Sequence, residues 1–468
     1  MKKKILFVIS FVLLFAISLF GCGVVNLKDG PDYKDTVYGN GGNAVVKGDY
    51  LYFSNAYVDY NTISQGENEY KANNPLKIYG IYRTKLNKQG VVSVNEQGFS
   101  QGAELLVPLA SGFKNSGIYI CDNYLYYTTV YTEFEANGNT DPTKGFLNFE
   151  RVDLNGENRM ELSKKGDFQI GCEYSINYID GVTYITVLNN EKITVIKSRK
   201  GDISKYELAS SVKEMAVASQ RKNVYGQSVL NFNKYVYYTK MENEEYSLYR
   251  KPLTNGKEET LISLSSSEIS GLEVKNNRVY FKHDNILKSS SFEENEMPVE
   301  YSKLSIVADS SSMGIVDYIA LEDTLGYPLD RGVVFVLYTD SGYVLTYKND
   351  NLLHSEKQIN ILFSVGNDVF YQIAEDNALY SVNLQTKTSK KVITEFTANI
   401  NEEGDNYTFD FDSERVYFFA KSTKSNGKLN YLHLALLSNN VYKDDSYQSV
   451  AQYVGVLRAD DVLAEDND

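Results

Sequence analysis

The chain has 468 residues, with 47 Lys and Arg against 61 Asp and Glu, for a formal net charge of −14. So acidic a surface excludes a nucleic-acid partner, because phosphate binding needs a basic face. Three cysteines exclude a disulfide framework, and the length exceeds what one compact core supports, which calls for several domains or a repeating array.

Lys2, Lys3 and Lys4 open the chain, and an apolar run from Ile5 to Phe20 follows, broken only by Ser10 and Ser18. This is the pattern of a signal peptide. As a helix the run reaches about 24 Å, short of the ~30 Å hydrocarbon core, so a stable membrane span is the weaker reading. At its end stands Leu19-Phe20-Gly21-Cys22, which resembles the lipobox of bacterial lipoproteins. That resemblance implies a diacylglyceryl group on the Cys22 sulfur and cleavage just before it. Residues 1–21 are then the signal peptide and residues 22–42 a lipidated cysteine with a flexible tether; an uncleaved anchor and a plain secretory signal are the alternatives. Two acyl chains, at about 0.8 kcal/mol per buried methylene, hold such a protein at a bilayer. The expected location is the cell membrane, lipid-anchored and facing the extracytoplasmic side.

From residue 43 a short phrase recurs, in which a polar turn residue precedes alternating apolar and aromatic residues. It appears as Asp49-Tyr50-Leu51-Tyr52-Phe53, Asn123-Tyr124-Leu125-Tyr126-Tyr127, Lys234-Tyr235-Val236-Tyr237-Tyr238 and Arg278-Val279-Tyr280-Phe281. Taking Tyr52, Tyr126, Tyr184, Tyr237, Tyr280, Phe335, Phe370 and Tyr417 as anchors, the mean period is about 52 residues, the length of a four-stranded unit with loops. A first strand precedes each anchor, and a third follows it, as in Ile81-Tyr82-Arg83 and Leu248-Tyr249-Arg250. Asn155-Gly156 and Asn255-Gly256 come next and predict type I′ hairpins into a fourth strand.

Sheets this small cannot hide both faces alone, and stacking them radially into a ring leaves only short, protected edges. The predicted fold is all-β, a β-propeller of about eight four-stranded blades over residues 43–457, followed by an acidic tail over 458–468. Seven blades is the alternative, if Phe335 and Phe370 belong to one irregular unit. The phrases resemble the tyrosine-rich repeats, described as lipoprotein-receptor-like propellers, of bacterial surface proteins. The resemblance runs from about Asn43 to Asn440; it implies attachment to the cell envelope and carries no particular activity. On alternating positions Tyr50 and Tyr52, Tyr124 and Tyr126, and Tyr235 and Tyr237 share a face, where their rings can fill the gap between blades.

Motifs that carry chemistry are sparse. His283, His354 and His433 are isolated in sequence from one another and from Cys121 and Cys172, and no phosphate-binding glycine loop or Gly-x-Ser-x-Gly elbow occurs. Asp410, Asp412 and Glu414, and separately Asn137, Asn139 and Asp141, offer oxygen ligands without the spacing of a calcium loop. No metal, cofactor or catalytic residue is expected. Long joins at Tyr57–Pro75, Tyr131–Gly145 and Lys421–Asn430 are expected to open on one rim, with Tyr57, Tyr60, Tyr70, Tyr131, Phe134 and Asp141 as the ligand-binding surface. The chain thus reads as a non-enzymatic binding or scaffolding module for an envelope protein or glycan, with a carbohydrate-active enzyme using carboxylates in the propeller funnel as the alternative. Two or more carboxylates converging at the channel mouth with raised proton affinity would favour the enzyme.

Overall fold

The computed structural model describes residues between Val37 and Tyr453, apart from connecting segments that include 60–76, 219–233, 394–409 and 437–451; residues 1–36 and 454–468, with Cys22, lie outside the described residues. The described residues form eight antiparallel sheets and no α-helix. The chain is a β-propeller, and in blades 3 to 8 strand order follows chain order.

Blade 1 contains Ala44–Lys47, Tyr50–Ser54, Lys77–Lys85 and Glu104–Ser111, with Val58–Asp59 paired beside the third of these. Blade 2 begins with Tyr119–Cys121, Tyr124–Phe134 and Thr140–Asp153; the earlier segment Val37–Tyr38 pairs onto its first strand, so strand pairing begins ahead of Asn43. Blades 3 to 8 are plain four-stranded sheets whose first strands are Glu173–Ile179, Val212–Val217, Ile269–Lys275, Gly314–Ala320, Ile359–Val365 and Asp410–Phe411.

All eight anchor residues sit on the second strand of a different blade. Phe335 and Phe370 are close in sequence because blade 6 turns tightly, with Thr339 pairing Gly342 and Tyr347 pairing Asp350. They belong to separate blades, Val333–Thr339 and Asp368–Ile373, which gives eight rather than seven.

Apolar residues fill each gap between successive blades from 1 to 7. Val45, Tyr52 and Ile81 meet Ile120, Leu125 and Tyr127 between blades 1 and 2, and Tyr237 and Leu248 meet Val279 and Phe281 between blades 4 and 5. Period-two alternation explains the paired tyrosines: Tyr126 packs forward against blade 3 while its neighbour Tyr127 packs back against blade 1. Tyr237 and Tyr238 divide in the same way. The Tyr126 hydroxyl crosses the gap and donates to Thr183 Oγ1 at 2.8 Å.

Cys121 and Cys172 share the cluster between blades 2 and 3 as two unbridged buried thiols. Burial pushes the Cys172 thiol up to about 12.

The predicted type I′ turns need correction. Asn255 has φ +64° and Gly156 φ +85°, but their Asn-Gly partners do not share the positive φ that type I′ demands at both central residues. After Thr140–Asp153 the fourth strand starts only at Met160, so the connection is longer than two residues. True two-residue turns with both φ positive occur at Asp180-Gly181, Asn190-Glu191 and Asn243-Glu244.

Candidate functional site

The first strands of blades 4 and 5, and those of blades 6 and 7, approach each other across the gap between blades, as strands nearest the axis of a propeller do. Those of blades 4, 5 and 6 each carry one acid in mid-strand: Glu214, Glu273 and Asp317. In all three the register with the second strand shifts just before the acid, between Val212 and Glu214, Ser270 and Glu273, and Ile315 and Asp317. A bulge of this kind re-aims a side chain and frees backbone donors from the ladder.

The three acids make one repeated contact. Glu214 Oε1 accepts the Leu272 backbone N–H at 2.7 Å, Glu273 Oε2 accepts that of Ala320 at 3.0 Å, and Asp317 Oδ2 accepts that of Ile361 at 2.8 Å. Each carboxylate therefore holds the inner edge of the following blade. Asp317 Oδ1 also accepts the Tyr318 N–H at 2.8 Å.

Two further side chains complete the cluster. The Tyr318 hydroxyl donates to the Gly271 carbonyl. Gly271 has φ +64°, and a Cβ there would lie 3.0 Å from Lys282 Cε and 3.5 Å from Tyr318 Cε1, so the missing side chain lets Lys282 and Tyr318 pass. Burial raises the Tyr318 hydroxyl well above its ordinary value, and the charges of Glu273, Glu214 and Asp317 add to that rise. One hydroxyl thus feels all three acids.

Burial lifts the Glu214 carboxyl above its ordinary value of 4.5, although N–H groups of Leu272 and Gly271 oppose the rise. Burial does the same to Asp317 from 3.8, against the N–H groups of Ile361 and Tyr318. Lys282 favours the ionised form of both, yet the net direction stays upward. Carboxyls that keep protons above their ordinary range, held rigidly on strands, are suited to proton transfer.

Glu150 is a useful contrast. It is 2% exposed and accepts Tyr127 Oη at 2.9 Å, Thr129 Oγ1 at 2.8 Å and Arg159 Nη2 at 2.7 Å. Burial pushes its proton affinity up, but those donors outweigh it and the net shift is downward. This ionised, fully bonded carboxylate has no spare proton to give.

Of the residues singled out from sequence, only some fall among the described residues. Tyr57, Tyr60 and Tyr70 lie outside the described residues, as do Asn137, Asn139, Asp412 and Glu414. Within the expected loop from Tyr131 to Gly145, Tyr131 pairs Phe146 and Phe134 pairs Thr140, so Tyr131, Phe134 and Asp141 are strand residues, while residues 135–139 lie outside the described residues. His283 lies beside Asp284, His354 Nε2 is 2.9 Å from the Ser341 carbonyl, and His433 pairs Phe418 in blade 8. The axial acids went unnoticed in the sequence because each is the one acid in a short strand. The available signal was positional, one acid on the first strand ahead of the anchors Tyr237, Tyr280 and Phe335.

No family model matches the chain, and no curated protein matches it. Among solved structures, an oligogalacturonate lyase in complex with manganese is 11% identical with a TM-score of 0.45, covering 84% of this chain and 99% of that one. An oligogalacturonate lyase from Vibrio parahaemolyticus is 11% identical with a TM-score of 0.42, over 88% of this chain and 100% of that one. A puromycin hydrolase mutant is 10% identical with a TM-score of 0.44, over 72% of this chain and 53% of that one. These likenesses are of fold and say nothing of this chain's substrate. The solved structures just named are enzymes, in contrast to the non-enzymatic binding or scaffolding module read from the sequence, and burial raises the proton affinity of Glu214 and Asp317.

Proposed function

We propose that this chain is a carbohydrate-active enzyme whose acid–base chemistry is carried by the axial carboxyls Glu214 and Asp317. The observation that supports it is the repeated placement of Glu214, Glu273 and Asp317 on the first strands of successive blades, each accepting a backbone N–H of the next blade, with Glu214 and Asp317 raised in proton affinity by burial. Cleavage of a glycosidic bond needs two carboxyl groups in different protonation states, one to protonate the leaving oxygen and one to activate the attacking group. Burial lifts both carboxyls above their ordinary values, which favours the protonated form that the leaving oxygen needs. Backbone N–H groups of the next blade fix both carboxyls, so little reorganisation accompanies the proton transfer.

Attachment at Cys22 belongs to the same proposal and places the propeller at the outer face of the cell membrane, with envelope glycans as the substrate source. Replacing Cys22 with Ser should shift the protein from the membrane fraction to the soluble fraction; unchanged membrane recovery would contradict the anchor. For the chemistry, full-length protein in detergent is assayed for reducing ends released from purified cell-wall polysaccharides. Glu214→Gln and Asp317→Asn, each retaining the acceptor oxygen, should lower turnover by about 100-fold or more. Wild-type turnover in both variants would overturn the assignment.

A further inference from the structure

The rim of blade 6 carries an aromatic platform beside the axial site. Tyr338 is 54% exposed, whereas the other strand tyrosines whose side chains are described are buried or half-buried. Its ring lies 5.0 Å from that of Tyr343, its direct cross-strand partner, at an interplanar angle of 50°. Tyr343 packs against the core between blades 6 and 7, which fixes the pair.

The register ties this pair to the axis. On its other side Tyr338 pairs with Gly314, the first residue of the first strand. With no side chain at Gly314, the Tyr338 ring is left uncovered from that direction. Asp317 pairs with Val336, two residues before Tyr338, a separation of about 7 Å along the strand.

Polar groups flank the same rim. The first strand of blade 7 begins at Ile359, and its Ile361 N–H is the one held by Asp317. Gln358 Nε2 donates to Asn360 Oδ1 at 3.0 Å. Gln358 Oε1 and Asn360 Nδ2 make no hydrogen bond among the described residues.

We infer that Tyr338, with Gln358 and Asn360, forms a subsite for an uncharged pyranose ring of a glycan chain whose scissile bond lies at Asp317. The C–H face of such a ring packs on an aromatic surface, and its hydroxyls match amide donors and acceptors. The local charge selects against acidic sugars: Asp340 lies two residues beyond Tyr338, and the chain is strongly acidic. An anionic substituent would be repelled.

This inference rests on the proposed enzyme reading, and the test separates the two. Chitohexaose, cellohexaose and hexameric oligogalacturonate are titrated calorimetrically into the full chain in detergent, and turnover is measured separately. At least one neutral hexaose should bind and the oligogalacturonate should not. Tyr338→Ala should weaken that binding by about ten-fold, while Tyr338→Phe keeps it. Unchanged affinity in Tyr338→Ala, with turnover still dependent on Glu214 and Asp317, would overturn the subsite and leave the enzyme reading standing. Tyr338-dependent binding without turnover would support the subsite and count against the enzyme. Binding of none of the neutral hexaoses, or preference for the oligogalacturonate, would overturn the inference.

Discussion

The guanidinium of Arg250 lies 4.6 Å from the centroid of the Tyr235 ring while its Nε donates to Glu259 at 2.6 Å. In register, Arg250 stands opposite Tyr237 on one side and Glu259 on the other. Blade 1 repeats the arrangement, with Arg83 over Tyr50, opposite Tyr52 and bonded to Glu104 at 2.7 Å. Blade 2 keeps the stacking of Arg151 on Tyr124 at 4.1 Å but has Met160 at the position of the acid. The Tyr-x-Tyr and Tyr-Arg phrases thus form one cross-strand unit, in which the first tyrosine carries the cation and the second fills the gap between blades. Arg250→Ala should lower stability by about 2–3 kcal/mol, because the 5%-exposed side chain loses a ring contact and leaves Glu259 unpaired. Arg250→Lys should recover less than half of that in urea denaturation, since the ammonium lacks the planar fork.

Gly156 tests the packing of blades 1 and 2. Its φ of +85° disfavours any side chain, and a Cβ there would sit 3.3 Å from the Leu106 backbone of the preceding blade. Gly156→Ala should cost about 1–2 kcal/mol. Gly166, with φ +88° and nothing within 4 Å, serves as a control for backbone strain alone. A lower melting temperature for Gly156→Ala than for Gly166→Ala isolates the contribution of the close approach.

The raised carboxyls of Glu214 and Asp317 make stability depend on pH in a stated direction. A carboxyl whose folded value exceeds its unfolded value binds protons more readily when folded, so stability falls as pH rises from the ordinary range through the raised one. Glu150 acts oppositely: its lowered value contributes stability above the ordinary range that is lost as pH falls through the folded value. The Glu214→Gln and Asp317→Asn double variant should therefore be more stable than the parent at pH 7, with the difference shrinking towards pH 4. Denaturant midpoints across that range check it, and a difference that grows on acidification would have the wrong sign.

Much of the fold was legible in the sequence. The anchors worked because second strands are central in their blades, so burial on both faces forces an alternating apolar and aromatic pattern. Tyr52, Tyr126, Tyr237 and Tyr280 are all under 3% exposed. Turn geometry was less legible: Asn-Gly suggested the wrong two hairpins, while Asn190-Glu191 and Asn243-Glu244 adopted the paired positive φ without a glycine. The axial site was not legible, because its members come from three strands more than 100 residues apart at the extremes, from Glu214 to Asp317. Only the ring brings them together, and the bulges that aim them leave no clear mark in sequence.

Glu214 and Asp317, carboxyls near the propeller axis, keep their protons above the ordinary range. The most direct measurement is a carboxyl carbon NMR titration of the intact protein, with Glu214→Gln and Asp317→Asn used to assign the two resonances. Midpoints above 4.5 for Glu214 and above 3.8 for Asp317 are expected. Midpoints at or below those values would show both groups to be ordinary ionised stitches between blades and would rule out their acid–base role.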